Sequence, residues 1–301
     1  HFIAHVVRPQ DPNDKAGPFG YDPEGTPTDQ RKRFVVASSA LPYTVRFENL
    51  ETATAAAQEV LITDQLDPNF DWSTFSLGAM QIGEKAVMVP EGTQNFKTTV
   101  DLRPTISALV EVECQFNPST GRAEWLFRGK DLSTSELADF LPPNKKDVAP
   151  RGEGRISYSV KPKANLPTGT VIKNKATIDF EVSVPPAPMD TPEVFNTIDS
   201  GAPTSQVKPL PASVSSATFT VEWEGADDAS GCGLRDYTIY VSEDGSVFTE
   251  WISHTTQTST TFTGKPGQTY YFYSRAEDNV GNTEKAPSKA DAIITVTILR
   301  W

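Results

Sequence analysis

The chain has 301 residues, of which 39 are acidic and 27 are basic, so its formal net charge at pH 7 is −12. A surface of this sign repels phosphate groups, which excludes nucleic acid and anionic membrane surfaces as expected partners. The longest nearly apolar stretch, residues 292–299, is far shorter than the roughly 20 residues of a membrane-spanning helix, so we expect no membrane insertion. Because the sequence opens at His1 without an initiator methionine, we expect a processed chain or a piece of a longer protein.

Apolar and polar residues alternate with a period of two in many short runs of the first half. This period predicts half-buried β-strands rather than helices. Several short strands separated by turn residues are typical of a sandwich or a barrel. The clearest runs are residues 43–48, 110–116, 123–127, 156–160 and 176–184.

Two local signals stand out between these runs. The sequence Asn-Pro-Ser-Thr-Gly at residues 117–121 separates two alternating runs, which predicts a hairpin with a glycine-containing loop. Residues 132–140 are the one place where a few helical turns are expected, with Ser133 as the N-cap and Pro142 as the stop.

A proline-rich stretch divides the chain. Seven prolines lie between residues 185 and 211, which predicts a stiff, extended connector. Alternation resumes from Phe219 onward and continues to residue 298. The sequence therefore predicts an all-β protein with two tandem β-sandwiches joined by a Pro-rich linker, one over residues 1–199 and one over 200–301.

The second half resembles the fibronectin type III fold. Trp223 at the end of a strand, the turn and tyrosine at 266–270, and the strand end at 276–282 have that fold's spacing. More narrowly, residues 225–231, 237–242 and 278–282 are similar to the last module of large secreted bacterial repeat proteins.

The first half resembles a companion module of the same proteins, a conserved-repeat domain of unknown function with an immunoglobulin-like sandwich. The resemblance implies an extracellular or cell-surface location and gives no activity. Its motifs lie at residues 11–15, 41–49, 62–67, 71–75, 152–154 and 196–199.

One constellation of oxygen ligands follows from the resemblance to a fibronectin-like sandwich, in which two loops emerge at the same pole. Asp227 and Asp228 would lie in one loop, and Asp278, Asn279 and Asn282 in the other. Calcium prefers such hard oxygen ligands, so we expect a candidate calcium site there. The alternative is that Asp and Asn are simply the residues that turns favour.

A second candidate metal cluster lies near the start of the chain, where Asp11, Asn13 and Asp14 follow closely on one another. An Asx turn, in which these side chains bond to their own backbone, is the alternative. The two cysteines, Cys114 and Cys232, are 118 positions apart and are expected to be free thiols.

Aromatic residues suggest a different role. Trp125 and Trp223 alternate with apolar residues and are expected in the core, whereas Trp72 and Trp251 lie in less regular sequence and are candidates for stacking on a glycan. Late-strand lysines, Lys173 and Lys175, also allow an internal Lys–Asn isopeptide bond, although no motif specifies one.

The sequence contains no GxSxG, HExxH or P-loop motif, and no pair of acids stands out as catalytic. We therefore expect a non-enzymatic, extracellular structural or adhesive segment of a bacterial surface or secreted assembly, with other copies or neighbouring modules as partners. Sheet edges that accept a neighbour's strand would allow it to form a filament. The alternative is an accessory carbohydrate-binding segment of a secreted polysaccharide-degrading enzyme, with polysaccharide as the partner.

Overall fold

The structure, a computed structural model, describes residues 13–147, 149–182 and 187–297. These residues form 22 β-strands and a single 3-10 turn, Thr28–Gln30, so the predicted all-β fold class is confirmed. Within the described residues, no helix is long and apolar enough to cross a bilayer.

The strands are numbered in their order along the chain. The first eleven are β1 (Asp14–Ala16), β2 (Phe34–Val36), β3 (Leu41–Glu48), β4 (Glu59–Gln65), β5 (Phe70–Ile82), β6 (Lys85–Val87), β7 (Phe96–Asp101), β8 (Leu109–Asn117), β9 (Arg122–Lys130), β10 (Glu153–Pro162) and β11 (Val171–Asn174). The remaining strands are β12 (Ala176–Phe180), β13 (Met189–Asp190), β14 (Val194–Asp199), β15 (Thr204–Val207), β16 (Ser213–Val214), β17 (Thr218–Ala226), β18 (Leu234–Ser242), β19 (Thr249–Thr255), β20 (Ser259–Thr263), β21 (Thr269–Asp278) and β22 (Ala292–Val296).

The chain packs as two compact units. The first comprises residues 1–19, 37–166 and 171–196, and the second comprises residues 20–36, 167–170 and 197–301. The division into domains 1–199 and 200–301 stays a prediction.

Two antiparallel sheets form the first unit. Their strand orders are β1-β3-β10-β5-β6 and β13-β12-β4-β9-β8-β7. Along β8, Val110, Val112 and Cys114 are buried while the residues between them are partly exposed, as the alternation predicts. The predicted hairpin is confirmed, since β8 and β9 pair around a turn that ends at Gly121 with φ of 72°.

Aromatic rings fill the space within the first unit. Trp125 is fully buried, as predicted, and its ring centroid lies 5.6 Å from that of Tyr158. Phe75 stacks on Phe116 with centroids 4.1 Å apart. Close-packed aromatic pairs of this kind leave little room for water in a core.

The second unit contains a three-stranded sheet, β15-β17-β20, and a five-stranded sheet, β16-β22-β21-β18-β19. Its core contains Trp223, buried as predicted, together with Phe272 and Ile294. Tyr270 Oη accepts a hydrogen bond of 2.8 Å from the backbone N–H of Lys265. This bond fixes the turn before β21, as a tyrosine corner does.

Two segments differ in detail from the sequence expectations. Residues 132–140 contain no helix, so the expected helical turns are wrong. Asp131, not Ser133, starts the local structure, because its Oδ1 accepts hydrogen bonds from the backbone N–H groups of Ser133 and Thr134 and closes a turn. The described part of the proline-rich stretch contributes β13, β14 and β15, with its prolines outside these strands, where no ladder donor is needed.

Candidate metal centre

Four side chains of the second unit converge at one end of its strands. Asp199 ends β14, Asp227 and Cys232 lie in the loop between β17 and β18, and Asp278 ends β21. One potential ligand atom from each lies within 4.8 Å of those of the others. We call this group the pole cluster.

Asp278 is the most rigidly held member. It is completely buried, and its Oδ1 accepts hydrogen bonds from three successive backbone N–H groups, those of residues 280–282, at 2.7 to 2.9 Å. Its Oδ2 accepts a 2.7 Å bond from Asn282 Nδ2. These bonds close the turn after β21 around one carboxylate, so its position is fixed before any ion binds.

The other two carboxylates hold the loop between β17 and β18. Asp199 is also completely buried, and its Oδ2 accepts a 2.7 Å bond from the backbone N–H of Cys232. Asp227 Oδ2 accepts a 2.6 Å bond from the N–H of Gly233. Each bond satisfies part of one oxygen and leaves lone pairs for a further partner.

Among the described residues, no ion pair includes a carboxylate of the pole cluster. Burial raises the pKa of Asp227, and repulsion from Asp199 and Asp278 adds to the rise, although backbone hydrogen bonds oppose it. Burial likewise raises the pKa of the Cys232 thiol, so this sulfur is protonated and a weak ligand at neutral pH.

Of the five residues expected to bind calcium, the structure places Asp227 and Asp278 in the pole cluster. Asp228 lies beside it, with its Oδ1 buried and without a hydrogen-bond partner. Asn279 Nδ2 donates to three backbone carbonyl groups, those of residues 232–234, at 2.7 to 3.3 Å. Asn282 Nδ2 bonds Asp278 and the backbone oxygen of Asp199, so both amides tie loops together.

Sequence reasoning missed Asp199 and Cys232 as members of the cluster. Asp199 lay in a motif quoted for the first half, far from the two loops considered. The sequence separation of Asp199 and Asp227 did not indicate that the two side chains are neighbours, because the end of β14 comes to lie beside these loops only through strand pairing.

The second predicted cluster is engaged in hydrogen bonds and an ion pair. Asn13 Oδ1 accepts a 3.0 Å bond from the backbone N–H of Glu48, and Asp14 pairs with Arg46 at 3.2 Å. Asp11 lies outside the described residues. These contacts pin β1 against β3, and a cation at this place stays a prediction.

The two tryptophans suggested for glycan stacking are half-buried. Trp72 Nε1 donates a 3.2 Å bond to the backbone oxygen of Asp67. The ring of Trp251 packs edge-on against Phe262, with centroids 5.0 Å apart. Both rings therefore contribute to packing, and glycan binding by them stays a prediction.

Residues 11–100 match a family described as a domain of unknown function, DUF7619. No protein with a curated description matches the chain.

Several solved structures are similar to this chain. Domains D2 and D3 of the major pilin SpaD from Corynebacterium diphtheriae align with a TM-score of 0.33 and 13% identity, covering 85% of this chain and 75% of that one. A D312A form of BcpA, the major pilin subunit of Bacillus cereus, aligns with a TM-score of 0.35 and 10% identity over 94% of this chain and 69% of that one. The fibronectin(III)-like modules of Clostridium thermocellum CbhA align with a TM-score of 0.31 and 7% identity over 88% of each chain.

Proposed function

We propose that this chain is a non-catalytic, extracellular structural or adhesive segment of a bacterial cell-surface or secreted assembly. Its task is to transmit tension without unfolding. The proposal is carried by a pair of parallel strands, β16 and β22, which lie near the two ends of the long 197–301 segment of the second unit.

The parallel pair is joined by backbone hydrogen bonds at both ends. The N–H of Thr295 donates to the oxygen of Ala212 at 3.1 Å, and the N–H of Thr297 donates to the oxygen of Val214 at 2.8 Å. The Thr297 hydroxyl adds a second bond to the same Val214 oxygen at 3.1 Å. Tension on the two ends pulls parallel strands in opposite directions along their length, so it loads these bonds together instead of one by one.

Single-molecule pulling from the two chain ends tests this role. Thr297→Pro removes the N–H and the hydroxyl that donate to the Val214 oxygen and disrupts the ladder, and should lower the unfolding force of the second unit. Thr297→Ala is the matched control, because it removes the hydroxyl but keeps the N–H. Equal unfolding forces for the two variants would contradict the role of the parallel pair.

The finer part of the proposal concerns partners, which are other copies of the chain or neighbouring modules. Among the strands that the structure describes, β7 pairs only with β8 and ends its six-stranded sheet. An edge strand presents unpaired backbone groups that a strand from a second copy can join. The molar mass in solution, measured by light scattering over a range of protein concentrations, should rise with concentration, and a strictly constant monomer mass would contradict self-assembly.

The pole cluster supports calcium as a stabilising ion for the second unit. Three carboxylates meet without a counter-ion among the described residues, and Asp228 Oδ1 is buried without a partner. Calcium would supply the counter-charge for the carboxylates and a partner for Asp228 Oδ1, since it binds six to eight oxygen atoms. It would hold the end of β14 and the loops after β17 and β21 together.

Calorimetry with calcium and with a chelator tests this site. The melting temperature of the second unit should rise with calcium in the native chain, and the rise should disappear in Asp227→Asn. Asp244→Asn is the control, because Asp244 caps a separate turn of the same unit through the N–H groups of Ser246 and Val247. An equal melting temperature with calcium and with the chelator would make these carboxylates ordinary turn residues.

A further inference from the structure

A lysine, an aspartate and an asparagine are buried together in the apolar core of the first unit. Lys15 on β1 is 4% exposed, Asp64 on β4 is 1% exposed, and Asn174 at the end of β11 is 3% exposed. Charged residues are almost never buried this completely unless they are paired. Three strands that are distant in sequence thus place reactive side chains at one point.

The three side chains surround a single oxygen atom, Tyr158 Oη. Lys15 Nζ forms an ion pair with Asp64 Oδ2 and donates to Tyr158 Oη at 2.9 Å. Asn174 Nδ2 donates to the same Oη at 2.7 Å, and this Oη donates to Asp64 Oδ2 at 2.6 Å. The amine, the carboxylate and the carboxamide are therefore held within reach of one another.

Two oxygen atoms of the group have no hydrogen-bond partner. They are Oδ1 of Asp64 and Oδ1 of Asn174, both fully buried. An unpaired buried carbonyl oxygen is unfavourable and uncommon in native proteins. A group that served only as a structural ion pair would leave both oxygens without a contact.

The surroundings exclude water and favour a neutral amine. Lys15 Nζ lies 5.3 Å and 5.4 Å from the ring centroids of Tyr43 and Tyr158, and Phe75 and Trp125 pack on Tyr158. Burial lowers the pKa of Lys15 to about 8, although Asp64 partly opposes the change. A buried amine freed of its proton is a nucleophile.

We propose that Lys15 and Asn174 are joined by an intramolecular isopeptide bond, and that Asp64 transfers the protons of the reaction. The chain's own residues supply every reactant, so the cross-link does not depend on the mechanical role proposed above. It requires no oxidant, metal or second protein.

The reaction is an amide exchange that releases ammonia. Asp64 accepts a proton from the Lys15 ammonium group, and the resulting carboxylic acid can then donate a hydrogen bond to Asn174 Oδ1 and polarise its carbonyl group. Lys15 Nζ attacks Asn174 Cγ, the Nζ–Cγ bond forms, and the Cγ–Nδ2 bond breaks. One of the two remaining amine protons passes to Nδ2 by way of the Asp64 carboxyl group, and Nδ2 leaves as ammonia, while the other stays on the new amide.

Formation of the isopeptide bond removes the energetic cost of burying a charged lysine. Burying a charged pair in an apolar core carries a large desolvation penalty, and an amide replaces the lysine charge by a neutral group. The lysines named from the sequence do not have this setting. Lys173 pairs with Glu193 at 2.9 Å and Lys175 with Asp190 at 2.5 Å, and all four side chains are about half exposed.

Mass spectrometry of the intact chain tests the proposal. The purified protein should be lighter than its sequence mass by one molecule of ammonia, also after full denaturation. A succinimide at an asparagine gives the same mass change, so the linkage must be located. Digestion with trypsin should yield a branched peptide in which Asn174 and Lys175 are attached to the peptide that carries Lys15, with no cleavage after Lys15.

Variants make the assignment specific. Lys15→Ala, Asp64→Asn and Asn174→Ala should each show the full mass of the altered sequence, whereas the control Lys175→Ala should still lose ammonia. Because the decisive readout is the linked peptide of the native chain, a variant that fails to fold does not remove the test. A native chain at its full sequence mass overturns the proposal, as does loss of ammonia without the linked peptide. Loss of one water with Lys15 joined to Asp64 overturns the assignment of Asn174.

Discussion

Replacing Asn174 with alanine should destabilise the first unit far more than the loss of one hydrogen bond explains. The substitution removes the proposed cross-link, in whose formation Asn174 Nδ2 has already left as ammonia, so the 2.7 Å bond from Nδ2 to Tyr158 Oη of the unlinked chain is absent from both proteins. Tyr158 Oη keeps its donor, Lys15, and its acceptor, Asp64, so no polar group is newly left without a partner. The cross-link is therefore the main difference between the two proteins.

The expected size follows from the length of chain that the cross-link closes. In the chain-entropy model, a covalent link across a loop of roughly 160 residues stabilises the folded state by about 5 kcal/mol. The linked chain has no Nδ2 hydrogen bond to lose, so the total loss is about 5 kcal/mol. For a unit of this size, that corresponds to a fall in melting temperature of roughly 10 to 20 °C.

Differential scanning calorimetry of the full chain measures this fall. Asn49→Ala is a matched control in the same unit, because Asn49 Nδ2 donates to the backbone oxygens of Ala55 at 3.0 Å and Leu141 at 2.8 Å and takes part in no cross-link. It should cost about 2 kcal/mol, about two fifths of the effect at Asn174. If Asn174→Ala lowers the melting temperature no more than Asn49→Ala does, the reasoning is refuted.

Three further predictions concern other parts of the chain. The pKa of Asp227 is raised in the folded chain. Without calcium, this group therefore contributes stability below its unfolded pKa of 3.8, and that contribution is lost as the pH rises through the folded pKa. Asp227→Asn should flatten the curve of stability against pH in this range, and a curve equal to that of the native chain would contradict the reasoning. Cys114 is 1% exposed and burial raises its pKa to about 12, so an alkylating reagent at pH 8 should modify it only in denaturant, as intact mass would show. Gly121→Ala should cost about 2 to 4 kcal/mol in a urea titration, because φ is 72° and the new Cβ would lie 2.4 Å from Trp72 Cε2. Gly92→Ala, with φ of 78° and open space around it, should cost only about 1 to 2 kcal/mol, and equal losses would count against the role of the Trp72 contact.

Gly121 and Gly92 show which features a local sequence pattern predicts and which it does not. A glycine in a turn between alternating runs predicts a positive φ, and the structure has one at both positions. Whether a side chain would fit there depends on Trp72, which comes from another strand. The conformation of the turn depends on residues that are neighbours in sequence, whereas the space beside it depends on a residue from another strand.

The same distinction governs the pole cluster. Asp227 and Asp278 were recognisable because each lies in a loop with glycine and other Asp or Asn residues, and sandwich topology brings such loops to one end. The helical turns expected at 132–140 failed because the single turn that Asp131 caps ends at Ser135, whose φ of 61° is a left-handed conformation that a helix cannot continue. Asp199 was missed because its place depends on the parallel pairing of β14 with β2.

The alternation of apolar and polar residues was sufficient to establish β-structure, the buried faces of strands such as β8, and the core positions of Trp125 and Trp223, because the period of a strand is a property of neighbouring residues. Only the tertiary structure brought Lys15, Asp64 and Asn174 together. A lysine in a segment rich in proline and aspartate is expected to be exposed. It is buried because β1 pairs with β3, placing Lys15 opposite Val45, and because β4 and β11 supply its neighbours from far along the chain.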